Sequence, residues 1–240
     1  MQSSSNVVPN RSRRRATVRF LVPTVAGMLF IAFVVVALIG THSLPGAPRS
    51  SAVETNAAAA GLFGILLLSE VWVLASRAKY SGEEQDRSTG LAIGLCLPAA
   101  FGGAVAVADT GFGPSIGGKP WFLLFLGVAL ALGGFALRLW AIVTLGSMFQ
   151  QRLVIQDDHA IVTDGPYRLV RHPSYTGPIL VFVGIGLVLG TWVGLLLSIV
   201  LPVAAYVWRI SVEERMLVAG LGSTYERYRE RTWRLVPGIW

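Results

Sequence analysis

Apolar runs close to 20 residues long recur along this 240-residue chain, and they constrain its fold more than any other feature. A run of that kind is what an α-helix needs to cross the hydrocarbon core of a bilayer, where every backbone polar group must be satisfied internally. Six such segments can be drawn. The first runs from about Arg19 to Gly40, the second covers roughly Ala57 to Ser76, the third Leu91 to Ala108 and the fourth Trp121 to Thr144. The last apolar stretch, Gly177 to Trp208, is too long for one crossing and too short for two joined by an ordinary loop. It reads as a tight helical hairpin turning near Gly190 and Thr191, with arms of about 15 to 18 residues, roughly 22 to 27 Å each. The expected fold is an all-α polytopic membrane protein with about six transmembrane helices, ending in that hairpin.

Charge sets the orientation. Only 14% of the residues are charged, against about a quarter in soluble domains. The net charge of +7 would suggest nucleic acid if the basic residues did not flank the apolar segments. Seventeen of the 20 lysines and arginines fall before segment one, between two and three, between four and five, or after six. Arg49 and Lys119 sit in the alternate loops and Arg138 lies inside segment four. The positive-inside rule then puts both termini in the cytoplasm, and the pattern suits a bacterial inner (plasma) membrane. Nucleic acid is not an expected partner; membrane lipids are. Residues 1–18 read as a disordered basic N-terminus, and 19–144 as four transmembrane helices. The first apolar run is longer than a signal-peptide core and no clear small-x-small cleavage site follows it. Cys96 is the single cysteine, and His42, His159 and His172 show no ligand spacing, so no disulfide and no metal centre is expected.

Polar chemistry gathers on the predicted cytoplasmic face. The stretch "GPYRLVRHPSYTG", 165–177, stands at the mouth of the hairpin, and "WRISVEERML" follows its far arm. A hairpin returns both of its ends to one membrane face, so the two regions should be neighbours. Pro173 and Pro178 restrict the backbone while Gly165 and Gly177 permit turns or close approach, which predicts a fixed, non-helical shape. Pro173 biases His172 toward extended backbone. If the last helix continues past the membrane, Arg209 and Glu213 share one face, four residues apart. Glu213 and Glu214 point about 100° apart, so one of them, Glu213, is expected to face the hairpin. "STYERYRERTWRL" reads as an amphipathic interfacial helix. Glu70 and Arg138 lie roughly 9 Å inside the membrane; they are expected to pair, to flank the site, or, for Arg138, to snorkel.

The run "HAIVTDGPYRLVRHPSYTG" followed, after a hydrophobic hairpin, by "EERML" and two spaced tyrosines resembles the isoprenylcysteine carboxyl methyltransferase family, within a wider group that includes phospholipid N-methyltransferases. The resemblance runs from about Arg138 to Pro237. It implies an integral membrane methyltransferase that uses S-adenosylmethionine without a Rossmann domain, and makes 145–240 the methyltransferase core with a cytoplasmic cofactor pocket. By position it implies cofactor binding by His159, Ala160, Ile161 and Val162, by Tyr167, by His172, Pro173, Ser174 and Tyr175, and by Glu213. Arg209 would face the substrate, a lipid-like acceptor bearing a carboxylate, thiol or amine. The competing readings are an NADPH-dependent membrane reductase of the sterol reductase type and a non-enzymatic membrane protein.

Overall fold

A computed structural model describes residues 59–66, 88–117, 120–146 and 161–240. Residues 59–66 are helical. After them come α1 (Ser88–Thr110), α2 (Pro120–Leu145), a 3-10 turn (Gly165–Arg168), α3 (Pro173–Leu189), α4 (Trp192–Leu221) and α5 (Ser223–Glu230). Among the described residues there is no strand, only two isolated bridges. The helices α1, α2, α3 and α4 fall where spans three to six were expected. Span one lies outside the described residues, and span two is described only at 59–66.

The hairpin turns where its sequence can turn. Gly190 caps α3 at φ +71°, a left-handed conformation natural to glycine, and its N–H reaches back to the carbonyls of Gly186 and Leu187. Thr191 is extended and its side chain accepts from the Gly194 N–H at 3.2 Å, capping α4. The loop after α1 docks on this tip: Ile116 N–H donates to the Gly190 carbonyl at 2.8 Å and Trp192 N–H to that of Pro114 at 3.1 Å.

The two arms are unequal. At 17 residues, α3 spans about 25 Å, while α4 has 30 residues and reaches about 45 Å. A hydrocarbon core near 30 Å takes about 20 residues of helix, so α4 is some ten residues longer than one crossing needs.

Glycine pairs seat α2 against α3. A Cβ on Gly127 would stand 2.5 Å from the Gly184 carbonyl oxygen, and one on Gly177 the same distance from that of Gly134. The pairs are seven residues apart on each helix and run antiparallel, so two small-residue notches bring the backbones together along one line. Beside this seam Phe63 stacks on Phe101 at 4.2 Å and meets Phe182 edge-on at 6.0 Å. Leu91, Leu95, Phe122, Phe125, Leu196 and Val200 are exposed, as expected of side chains that meet lipid. The molecule is an integral membrane protein.

Candidate functional site

Proline chemistry shapes the start of the site. Pro173 is the first residue of α3, where its missing N–H costs nothing. Pro178 lies inside the helix and cannot donate to the Ser174 carbonyl one turn back. Arg138 supplies that donor from α2, its Nη1 reaching the Ser174 carbonyl at 2.7 Å. Arg138 is buried, so it does not snorkel; the orphaned carbonyl draws it into the protein. Glu70 lies outside the described residues. Gly177 makes this reach possible, because a Cβ there would come within 2.8 Å of the Arg138 Cβ.

The expected non-helical stretch is helical in part. Gly165–Arg168 form the 3-10 turn, and Pro173, Ser174 and Tyr175 already belong to the first turn of α3. Gly165 has φ +57°, and a Cβ on it would lie 2.9 Å from the Thr144 hydroxyl of α2. His172 takes φ −123° and ψ 53° rather than extended backbone. Two hydrogen bonds explain the departure: its N–H donates to the Arg234 carbonyl at 3.0 Å, and its carbonyl accepts from the Tyr175 N–H at 3.0 Å.

The C-terminal tail runs beside this stretch. Trp233 N–H donates to the Leu169 carbonyl at 2.9 Å, and Arg171 N–H to the Trp233 carbonyl at 2.7 Å. The Thr176 hydroxyl donates to the Leu235 carbonyl at 2.9 Å, and the Tyr228 hydroxyl to the Tyr167 carbonyl at 2.8 Å. The expected long amphipathic helix is therefore shorter than its charge pattern suggested. It ends at Glu230, and the chain leaves it because Trp233 and Arg234 pair with the backbone of 169, 171 and 172, while the Arg171 and Thr176 side chains donate to the carbonyls of Thr232 and Leu235. Burial raises the Tyr228 phenol to about 12 and pushes Tyr225 and Tyr167 up as well, so these hydroxyls stay protonated.

Both glutamates of "EER" touch the opening stretch, which corrects the expectation that one would. Glu214 is buried (side chain 4% exposed). Its Oε1 accepts from Arg171 Nε at 2.9 Å and lies 3.3 Å from His172 Nε2, while its Oε2 accepts from Arg234 Nε at 3.0 Å, with Arg229 at 3.9 Å. Arg171 also donates from Nη1 to the carbonyls of Arg229 and Thr232. Glu213 is more open (side chain 27% exposed): it accepts from the Tyr175 hydroxyl at 2.8 Å and stands 3.9 Å from His172 Nδ1. The stretch and the tail wrap around α4 instead of lying along one side, so neighbouring residues 100° apart both meet them.

A chain of contacts leaves Glu213 in the other direction. The Tyr175 ring lies between those of His172, at 5.8 Å, and Tyr206, at 5.2 Å, all three near parallel. The Arg209 guanidinium lies close enough to Tyr175 to act electrostatically on its phenol. Arg209 is buried and donates from Nη1 to the Thr89 hydroxyl at 3.0 Å.

Tyr167, His172, Pro173, Ser174, Tyr175, Glu213 and Arg209 thus gather where α3 begins and α4 leaves its apolar part. Ile161 and Val162 are half-buried in irregular chain leading into the 3-10 turn, and the contacts just described do not include them. His159 and Ala160 lie outside the described residues. Sequence reasoning missed Glu214, Arg171, Arg229, Arg234 and Thr89. The arginine excess after Glu214 is a signal for Glu214, Arg229 and Arg234; nothing in the sequence marks Thr89.

A family model described as the isoprenylcysteine carboxyl methyltransferase (ICMT) family matches residues 126–219. The protein-S-isoprenylcysteine O-methyltransferase of Schizosaccharomyces pombe is 38% identical over 112 residues, which are 46% of this chain and 47% of that protein. The chain thus spans about half the length of this relative. Protein-S-isoprenylcysteine O-methyltransferase B of Arabidopsis thaliana is 30% identical over 135 residues, 55% of this chain and 68% of the relative. Among solved structures, that of a eukaryotic intramembrane Ras methyltransferase, ICMT, superposes with a TM-score of 0.60 at 21% identity, covering 97% of this chain and 88% of that one. The likeness extends to the fold.

Proposed function

Because this chain belongs to the isoprenylcysteine carboxyl methyltransferase family, we propose that it transfers a methyl group from S-adenosylmethionine to a lipid-like acceptor, an isoprenylcysteine-type carboxylate or a related small amphiphile. The observation that carries this reading is the grouping of Glu213, which accepts from the Tyr175 hydroxyl, with the buried Arg209 one turn earlier on α4. A carboxylate suited to a cationic cofactor and a guanidinium suited to an anionic acceptor thereby stand one helical turn apart.

The donor set fits the cofactor. Glu213 offers a partly open carboxylate for an ammonium or for ribose hydroxyls, and Tyr175, which donates to it, would border the adenine. His159, Ala160, Ile161, Val162 and Tyr167, with Pro173 and Ser174, would complete the pocket. When bound, S-adenosylmethionine supplies a methyl group on a positively charged sulfur, which an ionised carboxylate oxygen displaces to leave a neutral thioether.

The protein's part is positioning. No proton has to move when the acceptor is already ionised, so no side chain need act as a base. Arg209 would orient the acceptor carboxylate through paired N–H donors. Aligning donor and acceptor in line can lower the barrier by several kcal/mol. The arginine distribution supports six spans with both termini and the pocket cytoplasmic, in a plasma membrane of bacterial type; the acceptor would then enter sideways from the bilayer.

Titration of the purified protein with S-adenosylhomocysteine tests the reading, and binding is expected. Absence of binding, or tighter binding of NADPH, would sink it. Glu213→Gln is expected to abolish cofactor binding, whereas Arg209→Ala mainly impairs acceptor use. Equal cofactor affinity in the two variants would reject this division.

A further inference from the structure

Thr89 stands near the start of α1, far in sequence from the family-matching segment, yet its side chain is fully buried against Arg209. The hydrogen bond from Arg209 Nη1 to the Thr89 hydroxyl, 3.0 Å long, joins residues 120 positions apart. It is not an isolated touch. Helices α1 and α4 pack antiparallel along a continuous seam: a Cβ on Gly194 would lie 3.4 Å from the Ala104 carbonyl oxygen, and one on Gly103 3.4 Å from Leu197. Ala104 with Gly194 and Thr89 with Arg209 are in the same register, so the hydrogen bond closes the end of that seam.

A buried guanidinium that donates to the fully buried Thr89 hydroxyl is held in one orientation. Bidentate recognition of a carboxylate depends on that orientation, because the N–H donors of arginine form a rigid planar fork. We propose that Thr89 is a positioning residue for acceptor recognition: its buried hydroxyl holds Arg209 in the direction from which it meets the acceptor's carboxylate. This rests on the methyltransferase reading and deepens it. It makes α1 a wall of the acceptor site and ties acceptor use to where that helix packs.

The test uses the full-length protein in lipid nanodiscs and an N-acetylated S-prenylcysteine as acceptor. Thr89→Val removes the hydroxyl but keeps the shape; Thr89→Ser keeps the hydroxyl. Thr89→Val is expected to raise KM for the acceptor about tenfold, the scale of losing a hydrogen bond to a charged group, and to leave S-adenosylhomocysteine affinity unchanged. Thr89→Ser should restore KM, and in an Arg209→Lys background Thr89→Val should add little. An unchanged KM in Thr89→Val would overturn the proposal. So would equal losses in the Val and Ser variants, or cofactor affinity weakening in step with KM, since those mark a packing role. If Thr89→Val does not fold, Thr89→Cys, whose sulfur is a weak acceptor, takes its place with the same expected rise, and an unchanged KM there overturns the proposal. Wild-type protein that fails to bind S-adenosylhomocysteine overturns the methyltransferase reading and this proposal with it; binding without methylation of the probe overturns this proposal, which needs the prenylcysteine carboxylate as acceptor. Normal wild-type turnover with unaltered variants overturns this proposal alone.

Discussion

Glu213 and Glu214 are chain neighbours on one helix, yet they belong to two different regions. On the Glu214 side, arginines from the opening stretch and the tail close on one buried carboxylate, and backbone hydrogen bonds zip residues 169–172 to 233–234. On the Glu213 side the polar groups form pairs rather than a knot: Tyr175 donates to Glu213, and Arg209 to Thr89. The difference teaches that a glutamate pair can divide its work by one step around a helix. A carboxylate surrounded by cations of its own protein holds chain segments together; the neighbour that stays partly open is the one with capacity for a ligand.

The largest expected effect breaks the closed side. Glu214→Gln leaves Arg171 and Arg234 without their counter-charge, and removing one partner of a buried ion pair costs about 3 to 5 kcal/mol. Thermal unfolding in detergent measures this loss. Glu213→Gln is expected to lose less than about 1 kcal/mol, since its carboxylate is partly open to solvent. Equal destabilisation by both would erase the distinction. A smaller effect comes from the floor shared by the two sides. Gly177→Ala pushes a methyl group onto the Gly134 carbonyl and the Arg138 Cβ, and overpacking of this kind costs about 1 to 3 kcal/mol. Its unfolding midpoint should fall, and a variant as stable as wild type would mean that α2 and α3 yield at this seam. Smallest is Tyr228→Phe, which deletes one hydrogen bond of the zipper, to the Tyr167 carbonyl, for about 1 kcal/mol. Hydrogen exchange at 167–172 should rise in this variant while S-adenosylhomocysteine affinity holds.

Hydropathy made four of the helices legible, since the length of an apolar run is a local property. The hairpin turn was legible for a similar reason: Gly190 can adopt the left-handed cap and Thr191 can cap the next helix within a few residues of itself. The tail was misjudged because its charge alternation suits an interfacial helix. What draws it away are backbone partners at 169, 171 and 172 and the Thr176 hydroxyl, some 60 residues earlier, which periodicity does not register. For Arg138 the sequence leaves open pairing with Glu70, flanking the site or snorkelling. One of its hydrogen bonds goes to the Ser174 carbonyl, left without a donor by Pro178, a demand that becomes visible when α2 lies against α3.

The sequence by itself determined where the chain turns helical and apolar and where the hairpin bends, because composition, capping and span length act over a turn or two of chain. Tertiary structure alone decided which glutamate is closed in by arginines and which stays partly open, and that a threonine of α1 reaches Arg209. Those outcomes depend on which surfaces meet, and the meeting is set by glycine notches and a wrapping tail contributed by residues far apart in the chain.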